Sequence, residues 1–421
     1  MMEKLGGWDL LTWRLGYEDK GIVPLVGAQL TLDGHIDFED LVIVLSAAVE
    51  EQEILSVSLT KEKFPHPIIL PEFDLRKCIE VLHHQVNPAQ FALRHAIAQF
   101  SPIQHREDLP LWRVYVVYQQ HQTLLFTFLH HAIADGRKAL EVIFGLSGVK
   151  PPIQGASKDK STSNLGSLFQ EMMTDPMSLL QIATPALLGL NSLLALSPKH
   201  TLPYFADRSF RNNVFQYSIP RNIVQAKAKE LNVSSHDISV ALGLEIIKNL
   251  EEEMNISERN PIRVNIPVSL EQAHTFNQIL ISRLFIPRLT FAETAQTYRT
   301  LFKNWREHPS VKMYQSALSA ISQVELIDVT SFATHSDLTL SSLPYFSELL
   351  SIGKNEVLAI WPLVPTMGSA LNITSIGYNN VQYVTLTCDI GTKIDGGFLR
   401  RAIRLSHEKN LGIVPNFEHQ L

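Results

Sequence analysis

Residues 124–136 read Leu-Leu-Phe-Thr-Phe-Leu-His-His-Ala-Ile-Ala-Asp-Gly, an apolar run that ends in an HHxxxDG motif. Paired histidines at the end of a buried strand, with a carboxylate four residues after the second, form a place where a proton can be taken from a nucleophile and returned. Imidazole suits that task near neutral pH because its unperturbed pKa is about 6.5. His131 is the candidate general base. It removes the proton from an alcohol or amine, the freed nucleophile attacks a thioester carbonyl, and the same ring returns the proton to the departing thiolate. These steps need no covalent enzyme intermediate and no metal, and no ligand cluster in the sequence points to one.

The neighbouring residues have narrower roles. Successive side chains of a strand point to opposite faces, so if His131 faces a channel, His130 faces away as a hydrogen-bonded structural residue. Asp135 has two compatible readings. It is an N-cap for the next helix, or a salt-bridged anchor that keeps the His131 loop in shape. A buried carboxylate needs a cation, and Arg263, in the apolar run Ile262–Pro267, is the candidate. Gly136 keeps bulk away from the reaction centre, or is simply the first residue of a helix. Its backbone amide, or a hydroxyl of Ser341 or Ser342, is the candidate oxyanion donor. Arg137 and Lys138 oppose the dipole of a helix start, and are either solvated or turned toward the phosphates of a donor such as coenzyme A. Trp112 reads as core, with substrate contact as its second reading. Asn277 either orders a channel wall or satisfies a strand end. A second pair, His83-His84, has no acid at the required spacing and reads as surface.

These residues need elements to hold them. Leu124–Leu129 and Trp112–Tyr118 read as an antiparallel hairpin, and Gly136–Leu146 as the helix after the motif. Upstream, the residues up to Leu32 look like a strand, and Asp37 caps a helix through Ala48. Leu55–Thr60 is rich in strand formers, and Leu75–Leu82 is helix-like. A linker covers 148–164, and a helical connector follows to about Pro198. Beyond Arg208, strands are expected at Val214–Ile219, Ile262–Val268, Ile279–Leu289, Thr339–Leu340, Glu356–Trp361, Ala370–Tyr378 and Tyr383–Cys388. Helices are expected at Arg221–Leu231, His236–Leu250, Phe291–His308 and Asp395–Lys409. The mixture predicts an α+β, layered α/β fold. Its parts are an N-terminal lobe (1–155) carrying HHxxxDG, a linker and crossover helix (156–205), and a C-terminal lobe (206–421).

Composition agrees. At 421 residues the chain is too long for one ordinary core, and 45% hydrophobic with 19% charged residues is a globular balance. A net charge of −6 argues against a nucleic-acid binder. Two cysteines, Cys78 and Cys388, imply no disulfide framework and fit a reducing cytoplasm. The N-terminus lacks the sustained apolar region of a secretory signal. Residues 177–197 approach the length of a membrane span, but Gln181, Thr184, Pro185, Asn191 and Ser192 interrupt them. The stretch reads as a connecting helix kinked at Pro185, or as one lying on a lipid surface.

Further motifs sharpen the picture. Pro110-Leu111-Trp112, the block Arg263–Leu270 (Arg-Val-Asn-Ile-Pro-Val-Ser-Leu), Asn277-Gln278-Ile279, and Leu371-Asn372-Ile373-Thr374 with Gly377-Tyr378-Asn379, Asp389 and Asp395 occur in order. Together with HHxxxDG they resemble the bacterial wax ester synthase/diacylglycerol acyltransferase family, within the superfamily that also holds condensation domains. The likeness runs from about Trp8 to Ile403. It implies two chloramphenicol-acetyltransferase-like lobes with an active-site channel between them, a catalytic His131 and a structural Asp135. It implies acyl transfer to an alcohol with acyl-CoA or an acyl-carrier phosphopantetheine as donor substrate, and no permanently bound cofactor. Partners would then be the thioester, the acceptor, an acyl-carrier protein and a lipid surface. Three departures stand out: His236-Asp237 for the family's Asn-Asp, Ser341–Phe346 for its Ser-Asn-Val-Pro-Gly-Pro segment, and Phe276 for a glycine. They alter channel walls while leaving the base intact. The alternatives are therefore a condensation-like enzyme acting on an amine or polyketide hydroxyl, and a non-catalytic protein that binds acyl chains or a carrier.

Overall fold

The structure is a computed structural model that describes residues 5–17, 22–83, 86–101, 104–149, 212–255, 261–269, 276, 279–307, 336–367, 369–389 and 394–418. The expected linker and connector, including residues 177–197, lie outside the described residues. Among the described residues no helix is long and apolar enough to cross a membrane.

The N-terminal sheet is built on the expected hairpin. Trp112–Tyr118 (β5) pairs antiparallel with Gln122–His130 (β6), which pairs in turn with Leu25–Asp33 (β1), setting Leu25 opposite His130. Residues Leu25 to Leu32 are all buried, as in a strand covered on both faces. Helices Gly7–Tyr17 (α1), Phe38–Glu51 (α2), Pro88–Phe100 (α3) and Gly136–Leu146 (α4) belong to this lobe. Asp37 caps α2 through its carboxylate, which accepts from Glu39 N at 2.8 Å. The sequence reading passed over α1 and α3. Asp9 through Gly16 of α1 are all buried, so no polar stripe marks it.

Three expectations change. Leu75–Leu82 is not a helix: Leu75–Cys78 is a short 3-10 turn and Ile79–Val81 (β4) pairs parallel with β5, Ile79 opposite Val114. A sheet edge with open hydrogen-bonding groups overrides a weak local preference. Leu55–Thr60 divides into a 3-10 turn, Glu53–Ser56, and a short strand, Val57–Leu59 (β2), paired with Pro67–Ile69 (β3). Glu356–Trp361, assigned to the C-terminal lobe, returns to the other one. Asn355–Leu363 (β12), with Ser351–Ile352 (β11), pairs along the free edge of β1 and completes the order β11-β12-β1-β6-β5-β4. The boundary at 206 therefore does not separate the sheets cleanly, because β12 satisfies the backbone groups that the β1 edge would otherwise expose.

The second sheet has the order β15-β7-β14-β13-β10-β8-β9. Its strands are Asn212–Pro220 (β7), Ile262–Ser269 (β8), Ile279–Ile286 (β9), Ser336–Phe346 (β10), Ser369–Tyr378 (β13), Val381–Asp389 (β14) and Asn416–Phe417 (β15). β10 runs parallel to both β8 and β13. It is far longer than the Thr339–Leu340 expected, since two flanking strands sustain it. Helices Arg221–Leu231 (α5), Ser235–Glu253 (α6), Phe291–Glu307 (α7) and Gly396–Leu411 (α8) complete the lobe. One apolar cluster fills the N-terminal lobe and continues across the seam to Val214, Phe346, Ile376 and Tyr378, a second lies within the C-terminal lobe, and burial of that surface is the main drive to this arrangement.

One glycine is held by close approach. A Cβ at Gly27 would lie 2.1 Å from the Thr127 carbonyl oxygen and 2.6 Å from Phe128 Cδ1. Gly27→Ala is expected to lower stability by about 1–3 kcal/mol, seen as a lower denaturant midpoint at unchanged slope.

Candidate active site

β6 ends at His130, and three backbone bonds shape the turn that follows. His130 N donates to Leu111 O, His131 N to Pro24 O, and Ile133 N to His130 O, at 2.9, 2.9 and 3.0 Å. The turn is buried, with His131 at 5% exposure. At the seam between the lobes, Val23, Ile97, Asn212, Thr366 and Met367 are among the walls of a crevice that no residue of the HHxxxDG motif lines.

His130 is held on the lobe's inner side. Its ring lies 5.4 Å from Trp13 and 6.4 Å from Phe100, centroid to centroid. Its Nδ1 accepts from Ala132 N at 3.1 Å, which assigns the neutral proton to Nε2. Burial, reinforced by His105 and His131, pushes its pKa down to about 3. His130 is thus a fixed, neutral strut. Trp13 also meets His105 edge-on at 5.5 Å, and His105 Nε2 sits 2.8 Å from Leu59 O. Trp13 and His105 were not singled out from sequence. An aromatic in an all-buried helix carries no local sign of which ring it will meet.

Asp135 caps α4: its Oδ1 accepts from Lys138 N at 2.8 Å, and its carbonyl from Ala139 N at 2.8 Å. Arg263, at the start of β8, meets a carboxylate on its own sheet. Its N–H donates to Asp337 Oδ2 at 2.9 Å, and its Nε lies 3.7 Å from the same oxygen. Asp337 was not singled out from sequence. The only hint was a carboxylate leading an apolar strand. Arg137 and Lys138 meet the helix's own Glu141, at 3.9 and 2.5 Å.

Gly136 faces the other lobe. A Cβ there would stand 3.1 Å from Leu343 Cδ2 of β10. A few residues on, the Phe144 and Phe346 rings meet edge-to-face at 4.6 Å. The motif turn therefore abuts β10 across the seam. Gly136→Val is expected to push Leu343 aside and reduce turnover, and Leu343→Ala in the same chain to restore part of it. Ser341 and Ser342 are half-buried on β10, and Ser342 Oγ accepts from Ser375 Oγ at 3.2 Å.

Trp112 is a core residue, not a substrate contact. It is 2% exposed, its indole N–H donates to Leu55 O at 2.7 Å, and its ring meets Phe73 edge-on. Asp237 forms a capping box with Ser234 at the start of α6, while His236 Nε2 lies 2.8 Å from the Tyr298 hydroxyl. His83 is exposed, and Asn277 and His84 lie outside the described residues. Burial pushes the Cys78 thiol up to about 11 and the Cys388 thiol up to about 12, so neither is a ready thiolate. Among the described residues no group of His, Cys, Asp or Glu could hold a metal ion.

No protein-family model matches the sequence, and no curated protein matches it. Solved structures do match in shape. The wax ester synthase/diacylglycerol acyltransferase from Marinobacter aquaeolei VT8 is 15% identical, covers 97% of this chain and 100% of its own, and superposes with a TM-score of 0.60. The first condensation domain of the calcium-dependent antibiotic synthetase, in complex with a substrate analogue, is 15% identical over 98% and 97%, with a TM-score of 0.63. A variant of the starter condensation domain of rhizomide synthetase RzmA, in complex with C8-CoA, is 13% identical over 98% and 95%, with a TM-score of 0.57. At these identities the likeness establishes the fold, two chloramphenicol-acetyltransferase-like lobes shared with condensation domains and wax ester synthase.

Proposed function

We propose that the protein is an acyltransferase that moves an acyl group from a thioester to an alcohol, with His131 as general base. The observation that carries this reading is the place of the HHxxxDG turn. It follows a central strand of one lobe and abuts β10 of the other, in a fold shared along nearly its whole length with the wax ester synthase. His131 accepts the alcohol proton as the oxygen attacks the thioester carbonyl. The tetrahedral intermediate collapses, the C–S bond breaks, and the leaving thiolate takes the proton from His131. Gly136 N–H is among the first-turn amides that the helix itself does not use, and with the Ser341 or Ser342 hydroxyl it is the proposed oxyanion donor. Asp135 holds the loop through α4, with Arg263 as the proposed neighbouring cation. No bound cofactor enters these steps.

The donor in this reading is acyl-CoA or an acyl-carrier phosphopantetheine, and the rhizomide synthetase variant in complex with C8-CoA supports the first. The setting is cytoplasmic, with contact to a lipid surface where the acceptor is membrane-dissolved. An amine acceptor is the second reading. It is favoured by a starter condensation domain of the same fold in complex with both C8-CoA and Leu-SNAC. The test incubates purified protein with acyl-CoA, or with acyl groups loaded on a carrier protein, and with long-chain alcohols or amines in parallel. Free-thiol release and product mass are recorded. Ester from acyl-CoA is the expected product. Amide alone, or consumption of carrier-loaded acyl groups alone, transfers the assignment to the second reading, and binding without thiol release in any combination removes catalysis.

A further inference from the structure

The two sheets meet through polar side chains at one place distinct from the motif turn. On β1, Gln29 is fully buried, and its neighbour across the β1–β12 pair is Trp361. From the other lobe, Gln216 of β7 donates through Nε2 to Gln29 Oε1 at 3.1 Å. The neighbour of Gln216 on β14 is Thr385. The Trp361 ring meets Tyr383 edge-on at 4.8 Å, and Tyr383 shares a strand face with Thr385 two residues on. Thr31 follows Gln29 on the same face of β1.

Around the Gln29–Gln216 hydrogen bond, four buried polar atoms have no partner among the described residues: Gln29 Nε2, Thr31 Oγ1, Trp361 Nε1 and Thr385 Oγ1. Buried polar atoms are nearly always paired, because an unpaired one forfeits its hydration with nothing in return. Buried polar atoms without a partner occur elsewhere too, such as Trp8 Nε1, Ser58 Oγ and His407 Nε2, but neighbouring threonines of this sheet are paired. Thr374, opposite Thr385 on β13, donates to Asn372 Oδ1 at 3.1 Å, and Thr387, two residues along, donates to Val364 O at 2.8 Å. Two of the four orphans are N–H groups, which only donate, and the two hydroxyls can donate. The four residues carry no formal charge, which suits a neutral acceptor better than an anion.

We propose that these four groups form a subsite for the carbonyl oxygen of an amide or ester carried within a substrate chain, away from its reacting end. The assignment rests on the acyltransferase reading. Gln29 lies four residues along β1 from Leu25, the partner of His130, or roughly 13 Å at about 3.4 Å per residue. The substrate class is therefore a thioester or acceptor with a polar group well down its chain, not an unbroken hydrocarbon.

The test uses the full-length His131→Ala chain, so that the thioester is not consumed, titrated by calorimetry with two N-acetylcysteamine thioesters of equal chain length. One carries decanoate and the other 7-acetamidoheptanoate. The amide-bearing ligand is expected to bind about tenfold more tightly, a factor within the range of one or two added hydrogen bonds. Thr385→Val removes an O–H with little change of shape and Trp361→Phe removes the N–H together with one ring of the indole; each, added singly to the His131→Ala chain, is expected to shrink that preference. Should one of them fail to fold by circular dichroism, the other carries the comparison. Equal affinities for the two ligands, no binding of either, or a preference that survives these substitutions would overturn the subsite. The two readings fail separately. A preference in the His131→Ala chain without transfer by the parent protein removes the enzyme and leaves the subsite. Transfer by the parent without any preference does the reverse.

Discussion

His131→Ala is expected to lower the rate of acyl transfer by about 10²- to 10⁴-fold, the usual contribution of a positioned acid–base group. The loss should fall on kcat and kcat/KM together, because the ring acts on the proton in flight and not on substrate binding. The turn itself should survive. It is fixed by the backbone bonds to Leu111 and Pro24 and by the Asp135 cap, none of which uses the His131 ring. A circular dichroism spectrum matching the parent's is the control. Steady-state thiol release is the measurement, and a rate equal to the parent's would remove His131 from the chemistry. The pH profile adds a second reading. His130 sits at about 3 and stays neutral across the working range. An acid limb in the kcat/KM profile between pH 5 and 8 therefore cannot come from His130.

His130→Ala is expected to destabilise the fold by about 2–4 kcal/mol. The substitution opens a cavity beside Trp13 and Phe100 and strips the Ala132 amide of its acceptor. Its pH dependence has a definite sign. The folded pKa of His130, about 3, lies below the value near 6.5 of an unfolded imidazole. Between those values the unfolded chain binds the extra proton, so stability is fully present above about pH 6.5 and is lost as pH falls toward 3. His407, buried and pushed down to about 4, works in the same direction. Urea midpoints of the parent should therefore fall between pH 7.5 and pH 5. In a His130→Phe variant that fall should be smaller, because one of the imidazoles held neutral by burial no longer titrates. An unchanged fall would show that the His130 ring is not held neutral in the folded protein.

How much of this could be read from the chain follows the range of the interactions involved. The strand–turn–helix around HHxxxDG was legible because its signals lie within a few residues of one another. Strand-forming residues mark β5, an apolar run marks β6, and Asp135 sits where a cap must sit. The cap of α2, Asp37, was legible for the same reason, whereas Asp395, read as the first residue of α8, is its cap. The hydrogen-bonding role expected of His130 was also legible, from strand periodicity alone, though not its partners Trp13 and Phe100. Arg263 was picked out as a cation for Asp135, whereas the carboxylate 74 positions on that it meets in its own sheet, Asp337, was not, since sheet order is not written in the local pattern.

The amino-acid sequence by itself determined the local units and the chemistry they can carry: a proton-accepting imidazole at the end of a buried strand, a capped helix after it, and alternating faces that must be covered. Tertiary structure alone decided which strand completes the edge of β1, turning a stretch of the C-terminal half into β12 of the first sheet, and why Ile79–Val81 is extended. It alone brought Gln29, Trp361 and Thr385 together. The physical reason is that caps and periodicity are set by neighbours along the chain. Edge pairing, ring contacts and orphaned polar atoms depend on groups tens to hundreds of residues apart, whose meeting is chosen by the burial of both lobes at once.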